Sequence, residues 1–71
     1  MIEKINQTFQ DDATQKMAYC GILRFSGMKY IEICELTKFP MPTVKTRLHR
    51  HWKKYINDKY YRKKIDELFG G

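Results

Sequence analysis

The chain predicts an all-α fold, a single small domain over residues 1–71 built from four to five helices. Three observations carry that expectation. Apolar residues recur at three- and four-residue spacing and nowhere alternate over a useful length, which favours helix over strand. Glycines at 21, 27, 70 and 71 and prolines at 40 and 42 punctuate the periodic stretches, with no repeat, low-complexity tract or linker between them. A chain of 71 residues hides only about 60% of the surface its unfolded form exposes, so the core is shallow and no deep catalytic cleft fits.

The elements follow in order. Ile2, Ile5 and Phe9 fall at i, i+3, i+7 and predict a short first helix or an ordered arm. Asp11 or Asp12 is suited to cap the next helix, with Gln15 three residues after Asp12 in a capping-box position. That helix is expected from about Ala13 to Phe25, with Met17, Ala18, Ile22 and Phe25 turned inward and Tyr19 and Cys20 flanking them. Gly21 in its interior costs about 1 kcal/mol relative to alanine, which implies a close helix crossing at that point. Ser26-Gly27 ends it. A short helix from about Lys29 to Thr37 is expected to bury Ile33, Cys34 and Leu36. Lys38 to Met41 form a turn, in which Pro40 blocks continuation and Pro42 suits the first helical position. The next helix runs from Pro42 to at least Tyr55 with Val44, Leu48, His51 and Tyr55 inward. Asn57-Asp58 break it, and a last helix over about 58–69, Lys59 to Phe69, buries Tyr61, Ile65, Leu68 and Phe69.

Two short helices joined by a tight turn, over about residues 29–55, have the layout of a helix-turn-helix, whose second helix enters the DNA major groove. The helix that starts at Pro42 shows cations on the face its apolar stripe leaves free. Its N-terminal residues reach base edges first, which points to Thr43, Lys45 and Thr46, with His49 and Arg50 one turn on, as base-contacting residues. Lysine and arginine donate to guanine O6 and N7, and threonine touches a thymine methyl or a phosphate. Arg47, Lys53 and Lys54 on the flanks, Lys38 in the turn and Tyr30 in the preceding helix are the candidates for phosphate contacts, which fix register.

Charge agrees with that assignment. The net charge is +6, and it is lopsided: residues 1–36 hold four bases against five acids, whereas residues 37–71 hold ten bases against three. Nine of those bases lie between Lys45 and Lys64. A surface of one sign implies a polyanionic partner, since neutralised phosphates release their condensed counterions.

The stretch "GMKYIEICELTKFPMPTVKTRLHR" also resembles a family. It is similar to the second half of region four of bacterial sigma factors, especially the extracytoplasmic-function type. That pattern runs glycine, leucine, serine, tyrosine, x, glutamate, isoleucine, alanine, then threonine, valine, lysine, serine, arginine, leucine, x, arginine. Here it is met by Gly27, Met28, Tyr30, Glu32 and Ile33, then by Thr43, Val44, Lys45, Arg47, Leu48 and Arg50, with Ile22 and Phe25 at the apolar positions upstream. The likeness covers about residues 14–55. Lys29 departs from the capping serine, Cys34 from a small alanine, Pro42 from a common glycine and His51 from an inward alanine. The last change is expected to push the imidazole toward the helix end or leave it partly wet. The resemblance implies recognition of an upstream promoter element and contact with the flap of RNA polymerase. Nothing in the chain resembles region two, so a separate partner chain would supply the other sigma regions.

Other chemistry is weakly represented. Cys20, Cys34, His49 and His51 lack the spacing of structural zinc, so no metal is expected, and the two cysteines read as reduced, core-packed thiols. No nucleophile–base arrangement stands out, and no enzyme activity or cofactor is expected. Trp52, Tyr55, Tyr60, Tyr61 and Phe69 read chiefly as core, with a dimer or polymerase contact as the alternative if Trp52 and Tyr60 are exposed. No apolar stretch nears the roughly 20 residues that span a bilayer, and no signal peptide is evident, so a cytoplasmic protein without membrane association is expected. The expected function is sequence-specific binding of double-stranded DNA in transcription regulation, together with RNA polymerase and with a homodimer as one option. Two alternatives share these features: a polymerase-binding protein that reads no bases, and a DNA-binding subunit of a phage packaging or recombination machine.

Overall fold

A computed structural model describes residues 2–70 as five helices: α1 (Ile2–Thr8), α2 (Asp12–Phe25), α3 (Tyr30–Thr37), α4 (Met41–Asn57) and α5 (Lys59–Gly70). No strand occurs among the described residues. The all-α expectation holds, and each helix lies within about two residues of its sequence-derived limits.

The boundaries have local chemical causes. Asp11 takes an extended backbone and its carboxylate accepts the Thr14 N–H at 2.9 Å, so Asp11 rather than Asp12 caps α2. Gln15 does not close a capping box. Its amide donates to the Phe9 carbonyl at 2.7 Å and ties the α1–α2 turn instead. At the far end the chain reverses through Gly27 at φ +102°, a conformation that side chains with a Cβ rarely take. The capping serine missing before α3 is partly replaced by Glu32, whose carboxylate accepts the Lys29 N–H at 2.8 Å. Lys38 closes α3 in the left-handed region at φ 66°, its N–H donating to the Cys34 carbonyl. The α4 helix begins at Met41, one residue early, with Pro40 at the N-cap and Pro42 in its first turn, where no N–H is missed. Asp58 breaks the chain as expected. Its carboxylate accepts the amides of Tyr60 and Tyr61 at 3.0 and 3.1 Å and so starts α5.

Two small cores share α2. On one side Ile5, Phe9, Ala18, Ile22, Tyr61 and Ile65 join α1, α2 and α5. On the other Cys20, Ile33, Val44 and Leu48 join α2, α3 and α4. Each fully buried aliphatic side chain here contributes about 1.5–3 kcal/mol. The seam between the cores is the α2–α4 crossing, where Gly21 lies against the ring of His51; a Cβ on residue 21 would overlap Cγ, Nδ1 and Cε1 of that ring. The close crossing inferred from Gly21 is therefore present, and its occupant is a histidine.

Three apolar residues expected in the core are not there. Phe25 is 61% exposed, Leu36 51% and Phe69 38%. Phe25 ends α2 at the rim of a groove between α4 and α5, where its ring meets that of Phe69 at 4.7 Å between centroids but is left largely uncovered. Leu36 sits past the part of α3 that faces α4, beside a shallow groove shared with Ile2, Tyr19 and Phe39.

Candidate nucleic-acid interface

The α4 helix presents two unlike faces. Val44, Leu48 and His51 are buried against α2, α3 and α5. Lys45, Thr46, His49, Arg50 and Lys53 are exposed. At 100° per residue, Thr46, His49, Arg50 and Lys53 fall opposite Val44 and Leu48. The helix carries Lys45, Arg47, Arg50, Lys53 and Lys54 and not one carboxylate over its 17 residues. A shallow concavity of about 230 Å³ runs along Pro42, Thr43, Thr46, Arg47 and Arg50. The turn before α4 and the α5 helix after it leave this face uncovered.

The depth of α4 is set by its buried side. His51, expected to be displaced or partly wet, is 1% exposed. The side chain absent from Gly21 makes its space, and the Tyr61 hydroxyl, 2.7 Å from Nδ1, gives it a hydrogen bond. Burial lowers the imidazole pKa from 6.5 to about 4, and the same burial raises that of Tyr61. A second bond, from the Tyr55 hydroxyl to Asp66 at 2.7 Å, fastens α5 to the outer edge of α4.

The residues singled out in the sequence divide into free and committed groups. Of the expected base-contacting residues, Lys45, Thr46, His49 and Arg50 share the exposed face, and Thr43 is half-buried at its edge. Of the expected phosphate contacts, Lys38 and Lys53 are exposed and in no ion pair among the described residues. Tyr30 is 38% exposed, and the Arg24 guanidinium stands 5.4 Å from its ring. Arg47 is drawn inward: its guanidinium lies 5.1 Å from the Phe39 ring, and its Nε is buried with no hydrogen-bond partner. Lys54 pairs with Asp58 at 3.5 Å and stands 5.8 Å from the Tyr61 ring. The Asp58 carboxyl is held below its usual range, first by the amide of Tyr61 and then by that of Tyr60, so it stays charged beside Lys54.

The chain matches no family model, no curated protein and no solved structure. Its own geometry is what bears on function. Among the described residues no three His, Cys, Asp or Glu side chains gather to hold a metal ion. Cys20 is buried, with its thiol pKa pushed up by burial, and Cys34 donates to the Met41 sulfur at 3.9 Å. Among the described residues no helix is long and apolar enough to cross a membrane. Sequence reasoning assigned no role to the basic start of α5, Lys59 to Lys64. The signal was there to read: "KYYRKK" crowds cations into the end of a helix that disfavours them.

Proposed function

We propose that this protein is a sequence-specific double-stranded-DNA-binding regulator of transcription in the cytoplasm, with α3, the turn and α4 working as a helix-turn-helix. One observation carries the reading: an unbroken 17-residue helix, anchored along one side, whose opposite side is exposed, cationic and free of carboxylates. A major groove about 12 Å wide admits one such helix. In that groove Lys45 and Arg50 donate to guanine O6 and N7, Thr46 and His49 meet neighbouring base edges, and Thr43 meets the groove wall. Lys38 and Lys53 neutralise phosphates on either side, and Tyr30 adds a hydroxyl to the backbone. Arg47 and Lys54 contribute less than their charge suggests, since each already has an intramolecular partner.

The likeness to sigma region four extends the proposal to RNA polymerase, or to a partner chain that carries other sigma regions. An apolar groove of about 240 Å³ lined by Phe25, Trp52, Tyr55 and Phe69 supports a protein partner of this kind.

The test is selection of duplexes from a random pool, with and without polymerase, followed by salt titration of the winners. Four to six neutralised phosphates give a log–log slope of about −4 to −5. Arg50→Ala is expected to flatten the sequence preference, and Lys53→Ala to weaken all duplexes alike. Affinity indifferent to salt, or equal and sequence-blind losses from both variants, would overturn the assignment. A polymerase pull-down that survives replacement of Lys45, Arg47 and Arg50 would favour a polymerase-binding protein that reads no bases.

A further inference from the structure

The first two turns of α5 hold Lys59, Arg62, Lys63 and Lys64, with no acid in the first turn and no base in the last. A helix N-terminus already carries partial positive charge, so this arrangement opposes the macrodipole. Asp58 offsets the dipole itself by accepting the Tyr60 and Tyr61 amides, but no ion pair offsets the α5 cations among the described residues. The ion pairs among the described residues are Lys16–Asp12 and Lys54–Asp58, and neither includes an α5 cation. Asp58 is engaged with Lys54 and the Tyr60 and Tyr61 amides and Asp66 with the Tyr55 hydroxyl, while Glu67, exposed one turn beyond Lys63, is in neither ion pair. Lys59 and Lys63 are exposed, Arg62 and Lys64 half-exposed. The Lys64 ammonium lies 4.7 Å from the ring of Tyr60, itself 70% exposed. Four cations within two turns, none of them in an ion pair among the described residues, make a surface suited to an anion outside the chain.

From these features we infer that the start of α5 is a second phosphate-binding surface, which grips the DNA backbone outside the groove that α4 enters. The inference rests on the DNA-binding reading above and extends it to an element that reading leaves idle. Geometry gives the occupant. With 17 residues, α4 is about 25 Å long, roughly twice the width of the major groove. When its first turns reach the bases, its far end stands outside the phosphate rim. Only Asp58 separates that end from α5. The α5 cations therefore arrive rigidly beside the strand flanking the groove, and the His51–Tyr61 and Tyr55–Asp66 bonds hold them there.

The test compares the full chain with its Lys59→Gln/Arg62→Gln/Lys63→Gln variant, by fluorescence anisotropy on a selected duplex and on an unrelated one. Removing three phosphate contacts makes the log–log salt slope shallower by about 2–3 and weakens both duplexes on the order of a hundredfold near 0.1 M salt. The ratio between the two duplexes is expected to stay constant, and so is the helical circular dichroism. If the wild type binds with its steep slope and the variant binds identically, the α5 surface is refuted while base reading by α4 stands. If the variant instead loses only binding to anionic vesicles, the surface belongs to a membrane and the inference falls. If the wild type binds no duplex at any salt, the DNA-binding reading fails and this inference fails with it.

Discussion

Gly21 and His51 occupy one space, and that makes the sign of a mutation predictable. In the interior of α2, glycine to alanine ordinarily gains about 1 kcal/mol through helix propensity. Here a methyl group at residue 21 would overlap three atoms of the His51 ring, which is 1% exposed and tied to the Tyr61 hydroxyl. Overpacking of this kind costs about 1–3 kcal/mol. Moving the ring would also strain its hydrogen bond to Tyr61, worth about 1 kcal/mol net. The balance for Gly21→Ala is a loss of about 1–2 kcal/mol, or about 5–15 °C in melting temperature for a domain this small. His51→Ala alone costs about 3–4 kcal/mol, since it leaves a cavity and strands the Tyr61 hydroxyl. In that background the same Gly21→Ala methyl fills vacated space, so its effect turns from destabilising to stabilising. The coupling energy is expected to exceed about 1 kcal/mol. Urea and thermal denaturation of the four proteins, followed by circular dichroism at pH 7.5, read all sides of the cycle. Additive effects, or a Gly21→Ala variant more stable than the parent, would refute the close crossing and with it the account of how α4 is seated.

The same histidine sets an acid response. Its folded pKa of about 4 lies below the usual 6.5, so the unfolded chain binds the proton first. Stability is fully present above about pH 6.5 and falls by about 3 kcal/mol as the pH drops to about 4. In the His51→Ala background that loss is expected to vanish, leaving the acid loss from Asp11 and Asp58, whose lowered pKa values place it below about pH 5. A parent whose stability is flat between pH 6.5 and 4.5 would contradict the burial of a neutral ring. Lys38→Gly relieves a left-handed backbone at φ 66°. Relief of about 1–2 kcal/mol against a glycine cost of about 0.5–1 kcal/mol leaves the fold as stable as before or slightly more so. On the proposed DNA-binding reading, the same change is expected to remove a phosphate contact and make the salt slope shallower by about 0.9. A clear loss of stability, or an unchanged slope, would count against the role given to that turn.

What sequence alone determined was local. Helix limits depend on groups within four or five residues of one another: Asp11 with Thr14, Glu32 with Lys29, Asp58 with Tyr60, and the two prolines around Met41. Such signals survive in a linear reading because they need no partner from elsewhere in the chain. The free face of α4 was equally legible, since a helical period sorts Lys45, Thr46, His49 and Arg50 away from Val44 and Leu48 whatever surrounds them. Tertiary structure decided the rest, because burial belongs to pairs of surfaces rather than to residues. Phe25, Leu36 and Phe69 carry apolar side chains at plausible helical positions, yet they lie at the rims of shallow grooves where neighbouring helices cover them only in part. His51 is sealed because a glycine thirty residues earlier leaves room and Tyr61 supplies a hydroxyl. Arg47 and Lys54 are held by Phe39 and Asp58, and Asp58's engagement with Lys54 and two amides keeps it from the cations of α5. Each of these outcomes depends on groups brought together by packing, and only the folded chain specifies which groups those are.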